Sequence, residues 1–456
     1  MTARLREVLH DVAADTPAYP VYEQALATAR RHRRRTTIAA GTALVLVALV
    51  AVALPPLAGT PAVDPAAGAE AALPDRIDVP PFGSLHATDR PRLGPASVIF
   101  TGQAPGLMWG EDGRIIAVVG ADSDRYRIIK GGIGTLAGED TLLSPDGHRV
   151  AFGSSEVQIV DLTTTGSRTV TSEVSDTLGT GPAAWSPDGR ALVVRDTVRA
   201  NPQGSAYRTV LSLVWLDGDR RTRLADEYEA SISPVAFAPD GARLAFQIDR
   251  TVAVTDLDGR RLSSFTLPPD TELAGKGAWS TDGQALTVAQ RDGDSWSLRR
   301  VDPATGRDLG AMDMPAVTGV TAIRLLGWAA GSARVVAYQP APETPTAFDR
   351  PLAMDSRLGY GNVGTVRVLA LDPGAESPTT LLTAPSDIVA IDVADEVIQS
   401  GRTRSASPPL GVGLRFWFWT TLISVLIAGI VAYRNRVALA LWLHNRRARR
   451  LRRPNR

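Results

Sequence analysis

The stretch Trp185-Ser-Pro-Asp188-Gly189-Arg-Ala-Leu-Val-Val194 decides the fold of this chain, because close copies of it recur along the sequence. It combines a large apolar residue, a turn and a short apolar run, which predicts two β-strands joined by a tight turn. The other copies start at Trp109, Leu143, Phe237 and Trp279 and contain Asp112, Asp146, Asp240 and Asp282. Successive aspartates are separated by 34, 42, 52 and 42 residues. Steps of this length are typical of a propeller blade of four strands.

A second recurring pattern places an Asp directly after an apolar residue, further along each unit. Its copies are Val160-Asp161-Leu162, Leu216-Asp217-Gly218, Leu257-Asp258-Gly259, Val301-Asp302-Pro303 and Leu371-Asp372-Pro373. This pattern predicts the turn between the third and fourth strands of a blade. Because Asp side chains accept hydrogen bonds from backbone amides two residues on, we interpret these aspartates as turn formers and not as acid catalysts.

The repeats resemble those of WD40-like propellers of the TolB type, which read aromatic-Ser-Pro-Asp-Gly followed by a basic residue and an apolar strand. The resemblance covers residues 105–300 well and residues 300–400 weakly. A sixth copy, from Trp328 to Tyr338, keeps the Trp and the strand but has lost the Asp. The resemblance implies an all-β propeller, which is a scaffold that hosts many functions and does not itself specify one.

The number of blades depends on the strands that the six copies leave over. Ser97-Val-Ile-Phe100 precedes the first copy, and Asp387-Ile-Val-Ala-Ile391 and Glu396-Val-Ile398 follow the last. We expect these strands from both ends of the domain to pair in one composite blade that closes the ring. The prediction is therefore a seven-bladed propeller, with six blades as the alternative, in which the entering and leaving segments lie close together.

Two apolar segments flank the repeats and predict two transmembrane helices, residues 36–54 and 415–433. Arg-rich sequence lies at the outer end of each, so the positive-inside rule predicts cytoplasmic termini and an extracytoplasmic propeller at the cell membrane. The first segment is expected to be a retained anchor, with a cleavable signal peptide as the alternative. The predicted parts are a cytoplasmic head at 1–35, the first span at 36–54, a Pro/Ala-rich stalk at 55–83, the propeller at 84–400, a linker at 401–414, the second span at 415–433 and a cytoplasmic tail at 434–456.

Charge is concentrated at the two ends of the chain. Residues 1–35 carry seven Arg against four acidic residues, and residues 434–456 carry nine Arg and no acidic residue. Because the whole chain has a formal charge of only +1, the part between is acidic. Membrane topology explains this pattern, so we expect the Arg-rich ends to contact anionic lipid and expect no nucleic-acid partner.

Enzyme and cofactor signatures are missing from the sequence. The chain has no Cys, which excludes disulfides, thiolate metal sites and thiol nucleophiles. Neither a G-x-S-x-G elbow nor a P-loop occurs. We therefore expect no enzymatic activity, no cofactor and no metal.

Two long connections between second and third strands, residues 195–208 and 339–364, are the best candidates for ligand contacts. They occupy the same position in their blades and should emerge on one face of the ring. Arg and aromatic residues dominate binding hot spots, which selects Arg195, Tyr207, Phe348, Arg350, Arg357 and Tyr360. The predicted function is non-catalytic binding of an extracytoplasmic protein or cell-envelope ligand. The alternative is a transmembrane sensor whose N-terminal helices hold a cytoplasmic regulator.

Overall fold

The computed structural model describes residues 71–81, 83–103, 114–129, 135–164, 166–200, 206–218, 220–344, 359–409 and 414–434. The chain divides into two compact units, residues 64–416 and the two ends, 1–63 with 417–456. Within the described residues, the strands belong to the first unit, and the second contains most of a long helix.

The strands of residues 64–416 form a β-propeller with six blades in the described part of the chain, each of four antiparallel strands. Blade 1 consists of β26 (Ile388–Val393), β2 (Ala96–Gln103), β3 (Arg114–Gly120) and β4 (Tyr126–Ile129). Blade 2 consists of β5 (Thr141–Leu143), β6 (Arg149–Gly153), β7 (Val157–Asp161) and β8 (Ser167–Val170). Blade 3 consists of β9 (Thr177–Trp185), β10 (Ala191–Arg199), β11 (Tyr207–Trp215) and β12 (Arg221–Tyr228).

The remaining blades follow in chain order. Blade 4 consists of β13 (Ile232–Phe237), β14 (Arg243–Ile248), β15 (Thr251–Asp256) and β16 (Arg261–Thr266). Blade 5 consists of β17 (Thr271–Leu273), β18 (Leu286–Asp292), β19 (Ser295–Val301) and β20 (Asp308–Ala311), with the short β21 (Val317–Thr318) also paired to β19. Blade 6 consists of β22 (Ala322–Ala329), β23 (Ser332–Pro340), β24 (Val363–Leu371) and β25 (Thr379–Thr383).

The Pro-Asp-Gly turns form as predicted between the first and second strands of blades 2 to 5. In blade 3, Asp188 accepts hydrogen bonds from the Ser186 hydroxyl at 2.6 Å and the Arg190 amide at 3.0 Å. Gly189 has a φ of 65°, a conformation that favours glycine. Burial opposes ionisation of Asp188, but these hydrogen bonds outweigh it and lower the pKa of the carboxyl. The turn-forming role of these aspartates is confirmed.

Arginine side chains join neighbouring blades at two of these turns. Arg149 of blade 2 lies 5.3 Å from the centre of the Trp185 ring and donates to the Gly189 carbonyl at 2.8 Å. Arg243 of blade 4 repeats the arrangement with Trp279 at 4.9 Å and the Gly283 carbonyl at 3.0 Å. A cation over an aromatic ring at such distances is attractive. An Arg three residues after the turn Asp thus links blade 2 to blade 3 and blade 4 to blade 5.

The ring closes as predicted, but it has six blades and not seven. The last strand, β26, pairs with β2 in antiparallel register, with Val98 opposite Val393, and so completes blade 1. The first copy of the motif, which contains Asp112, lies in the sequence between β2 and β3. These are the second and third strands of blade 1, whereas the later copies join the first and second strands of their blades. The first copy does not mark a blade of its own. Glu396 lies in a short helix, α1 (Asp395–Ser400), so the described residues do not provide the strands of a seventh blade.

The entering and leaving segments lie side by side on the propeller. The short strands β1 (Leu73–Pro74) and β27 (Thr403–Arg404) pair in parallel. Leu73 and Ala406 are both buried, so the packed propeller extends beyond the predicted range of 84–400 on both sides.

The second unit contributes one described helix, α2 (Leu414–Arg434), which covers the second predicted span. Its large apolar side chains are exposed, with Leu426 at 63% and Val425 at 61%. Judged by length and apolarity together, none of the helices within the described ranges qualifies as a membrane span. The first predicted span, residues 36–54, lies outside the described residues.

Candidate functional site

The two faces of the ring carry different kinds of connection. The Asp-Gly turns of blades 2 to 5 and the apolar-Asp turns lie at one face, which we call the turn face. The connections between second and third strands and between successive blades lie at the opposite face, which we call the loop face. Both insertions that the sequence analysis selected therefore belong to the loop face. The first is shorter than the predicted 195–208, because residues 195–199 lie in β10 and residues 207–208 lie in β11.

A cleft of about 540 Å³ opens on the loop face across blades 2, 3 and 4. Arg195 of β10 lies in it and forms an ion pair with Asp140, with Nη2 at 3.3 Å from Oδ1. Two large apolar side chains are exposed on its walls, Leu178 at 55% and Tyr207 at 38%. The cleft is lined by Thr135, Asp140, Gly153, Ser154, Leu178, Gly179, Thr180, Gly181, Arg195, Thr197, Tyr207, Thr209 and Ser231.

Close backbone packing forms the floor of the cleft between blades 2 and 3. The Thr180 amide donates to the Ser154 carbonyl at 2.9 Å. A side-chain carbon added to Gly153 would lie 2.3 Å from the Thr180 carbonyl oxygen. The Thr180 hydroxyl in turn donates to the buried Asp196 at 2.8 Å, which fixes its direction. Gly153 is therefore required here for space.

Of the six predicted site residues, the structure brings Arg195 and Tyr207 together and places Tyr360 apart from them. Arg195 and Tyr207 line the same cleft. Tyr360 is buried at 1% exposure inside the propeller and donates to Glu139, so it supports the wall of the central channel. The remaining three, Phe348, Arg350 and Arg357, lie outside the described residues.

Below the cleft, the axis of the ring contains buried charged groups around a small cavity of about 90 Å³. Arg324 donates to the backbone carbonyls of Gly138 at 2.9 Å and Ile391 at 2.6 Å. Burial raises the pKa of Glu139 to about 8, although Arg324 and the Tyr360 hydroxyl act in the opposite direction. A raised pKa means that the site favours the protonated carboxyl.

An ion-pair cluster around Lys276 lines the same cavity near the turn face. Its Nζ lies 3.0 Å from Asp392 of β26 and 2.8 Å from Asp395 of α1. The same Nζ donates to the Val393 carbonyl at 2.6 Å. Burial lowers the pKa of Lys276, but the two carboxylates outweigh it and raise the pKa overall. Lys276 therefore ties blade 5 to the strand that closes blade 1.

Sequence reasoning missed Leu178, Asp140 and the hydroxyl-bearing residues of the cleft. Leu178 lies in the strand that begins blade 3, where an apolar residue is expected to face the core. Asp140 precedes a short strand and resembles the many turn aspartates of the chain. Only the packing of three blades shows that these residues meet Arg195.

The cleft combines one ion pair, several hydroxyl groups and two exposed apolar side chains, a lining suited to binding. Within the described residues, no group of three or more His, Asp or Glu side chains could hold a metal ion.

Solved structures similar to this chain include TolB from Acinetobacter baumannii, at 14% identity and a TM-score of 0.38. That match covers 65% of this chain and 65% of the TolB chain, just under two thirds of its length. An oligogalacturonate lyase in complex with manganese matches at 14% identity over 66% of this chain and 88% of that chain, with a TM-score of 0.41. A mutant puromycin hydrolase matches at 16% identity over 68% of this chain and 56% of that chain, with a TM-score of 0.40.

No protein-family model matches the chain, and no curated protein matches it. At such low identities the likeness concerns the fold alone. The similar structures include TolB-type propellers, the type that the repeats of this chain resemble.

Proposed function

We propose that this protein is a non-catalytic binding propeller whose loop-face cleft receives a protein or cell-envelope ligand. The observation that carries the proposal is the convergence of Arg195, Tyr207 and Leu178 in one cleft. Of the described propeller residues, only Leu178, Tyr207, Leu262 and Leu309 are large apolar side chains with high exposure, and two of these four line the cleft. An exposed Tyr beside a positioned Arg is typical of a binding hot spot, and Leu178 adds apolar surface next to them.

The proposed protein is held at the cell membrane with the propeller outside and the Arg-rich ends on the cytoplasmic side, next to anionic lipid. The exposed apolar side chains of α2 support this part of the proposal, because so many of them together require a cover of lipid or protein. Carbonate extraction of cell membranes tests it. The full chain should remain in the pellet, whereas a chain ending at residue 409 should be released in part. Equal release of both would contradict tethering through α2.

The binding proposal is tested by cross-linking the full chain in its own cell envelope, with Leu178→Ser and Tyr207→Ala together as the cleft variant. Leu262→Ser is the matched control, because Leu262 is 45% exposed but lies on the outer strand β16. Cross-linked species should disappear with the cleft variant and persist with the control. Species that survive in both variants would refute the cleft as the binding site. A hydrolase or lyase activity that is lost on substitution of one acidic residue would refute the non-catalytic assignment.

A further inference from the structure

Two blade junctions on the turn face share an arginine seat, formed by an aromatic ring and the carbonyl of a turn glycine. Arg149 occupies the seat between blades 2 and 3, and Arg243 occupies the seat between blades 4 and 5. Each Arg stands three residues after the turn aspartate of its own blade, Asp146 and Asp240.

The junction between blades 3 and 4 has the same seat without its arginine. The residue three positions after Asp188 is Ala191. Among the described residues, no donor reaches the Gly241 carbonyl oxygen. A methyl group added at Gly241 would meet nothing nearer than a ring carbon of Pro187 at 4.0 Å, whereas one added at Gly189 would meet Arg149 Nη2 at 2.9 Å.

A groove of about 370 Å³ occupies this junction. The Phe237 ring lies in its wall at the position of Trp185 and Trp279 in the neighbouring seats. The charged residues of its lining are Asp188, Asp217, Asp240 and Arg190, and Asp240 is already paired with Arg243 at 3.1 Å. The groove therefore offers a ring, a turn carbonyl and the carboxylates of Asp188 and Asp217.

We propose that this groove binds an arginine side chain of a partner polypeptide. The guanidinium group would donate to the Gly241 carbonyl and lie over Phe237, as Arg149 and Arg243 do in their own seats. A planar, multiply donating guanidinium suits this geometry, whereas the compact ammonium of lysine does not. The groove lies on the turn face, opposite the cleft, so the inference is independent of the proposed function.

The absence of cysteine permits a clean test on the full chain in detergent. Gly218→Cys places a single thiol beside the groove, at a position where a side chain meets nothing within 4 Å. An environment-sensitive fluorophore on that thiol reports binding of the peptide acetyl-Gly-Gly-Arg-Gly-Gly-amide. The lysine and citrulline analogues serve as matched probes. We expect saturable binding of the arginine peptide, with both analogues weaker by at least about fivefold. Equal responses to the three peptides would overturn the proposal.

The decisive variant is Ala191→Arg, which supplies the missing side chain from within the protein. Arg149 and Arg243 show that the fold accepts Arg at this position of the repeat. The filled seat should weaken binding of the arginine peptide by about tenfold or more. Ala242→Arg is the control, because it adds the same charge to an exposed position of the next turn. In blade 3 the corresponding position, two residues after the turn Asp, is already occupied by Arg190.

A second variant decides the matter if Ala191→Arg does not fold. Asp217→Asn removes an exposed carboxylate of the groove. It should weaken binding of the arginine peptide about threefold at low salt and should affect binding of the citrulline peptide less. Unchanged arginine binding by folded Ala191→Arg, or by Asp217→Asn, would overturn the proposal.

Discussion

Replacing Lys276 by Met should loosen the ring at its closing blade. Lys276 Nζ lies 3.0 Å from Asp392, whose side chain is only 2% exposed, while the Lys276 side chain is 23% exposed. At that distance, with an effective dielectric constant of about 20, the attraction is on the order of 5 kcal/mol. Breaking a buried pair by removing one partner typically costs about 3–5 kcal/mol, because a buried charge is left uncompensated. We expect a loss in this range for K276M.

Urea unfolding of the full chain in detergent, followed by tryptophan fluorescence, measures this loss. Asp392 also accepts a hydrogen bond from the Leu143 amide of blade 2 at 3.2 Å, which Asn can accept as well. The double variant K276M/D392N should therefore recover most of the lost stability. K276M/D395N is the matched control and should recover less, because the Asp395 side chain is 35% exposed. A loss below about 1 kcal/mol, or equal recovery by both double variants, would refute the reasoning.

Two further predictions concern the channel and the floor of the cleft. Because burial raises the pKa of Glu139 to about 8, the folded chain holds a proton that the unfolded chain releases above about pH 4.3, so stability should fall as the pH rises through this window. Glu139→Gln should flatten that dependence in thermal unfolding measured from pH 5 to pH 8, and an unchanged slope would contradict the assignment. Gly153→Ala should destabilise the protein by about 1–3 kcal/mol, since the added carbon would lie 2.3 Å from the Thr180 carbonyl oxygen. Gly218→Ala, with open space around it, should change stability little, and equal effects of the two alanines in urea unfolding would contradict the tight contact.

The sequence predicted those features of the fold that depend only on residues close together in the chain. The turn at Asp188 depends on residues within two positions of it, so its role could be read directly. The number of blades could not be predicted in the same way. The motif at Asp112 predicts a hairpin but does not indicate which two strands of a blade the hairpin joins. Only the pairing of β2 with β3 and with β26 resolves this.

The candidate site was predicted only in part, because some of its contacts are local in the sequence and others are long-range. Arg195 and Tyr207 flank one long connection, so their meeting followed from a single hairpin. Tyr360 was selected as an aromatic residue of the other connection, but its burial against Glu139 depends on a contact between residues far apart in sequence. The cluster of Lys276 with Asp392 has the same long-range character and left no sequence signal.

The most direct test of the closed six-bladed ring is a disulfide between its first and last strands. Val98 and Val393 lie opposite each other in the antiparallel register of β2 and β26. The Cα atoms of such opposed residues are about 4.5–5.5 Å apart, a separation that a disulfide can span. In the otherwise cysteine-free chain, Val98→Cys with Val393→Cys should form an intramolecular disulfide on oxidation of the folded protein, seen as a reducible mobility shift on a denaturing gel. Thiols that stay reduced in folded protein while reacting fully after unfolding would contradict the closure.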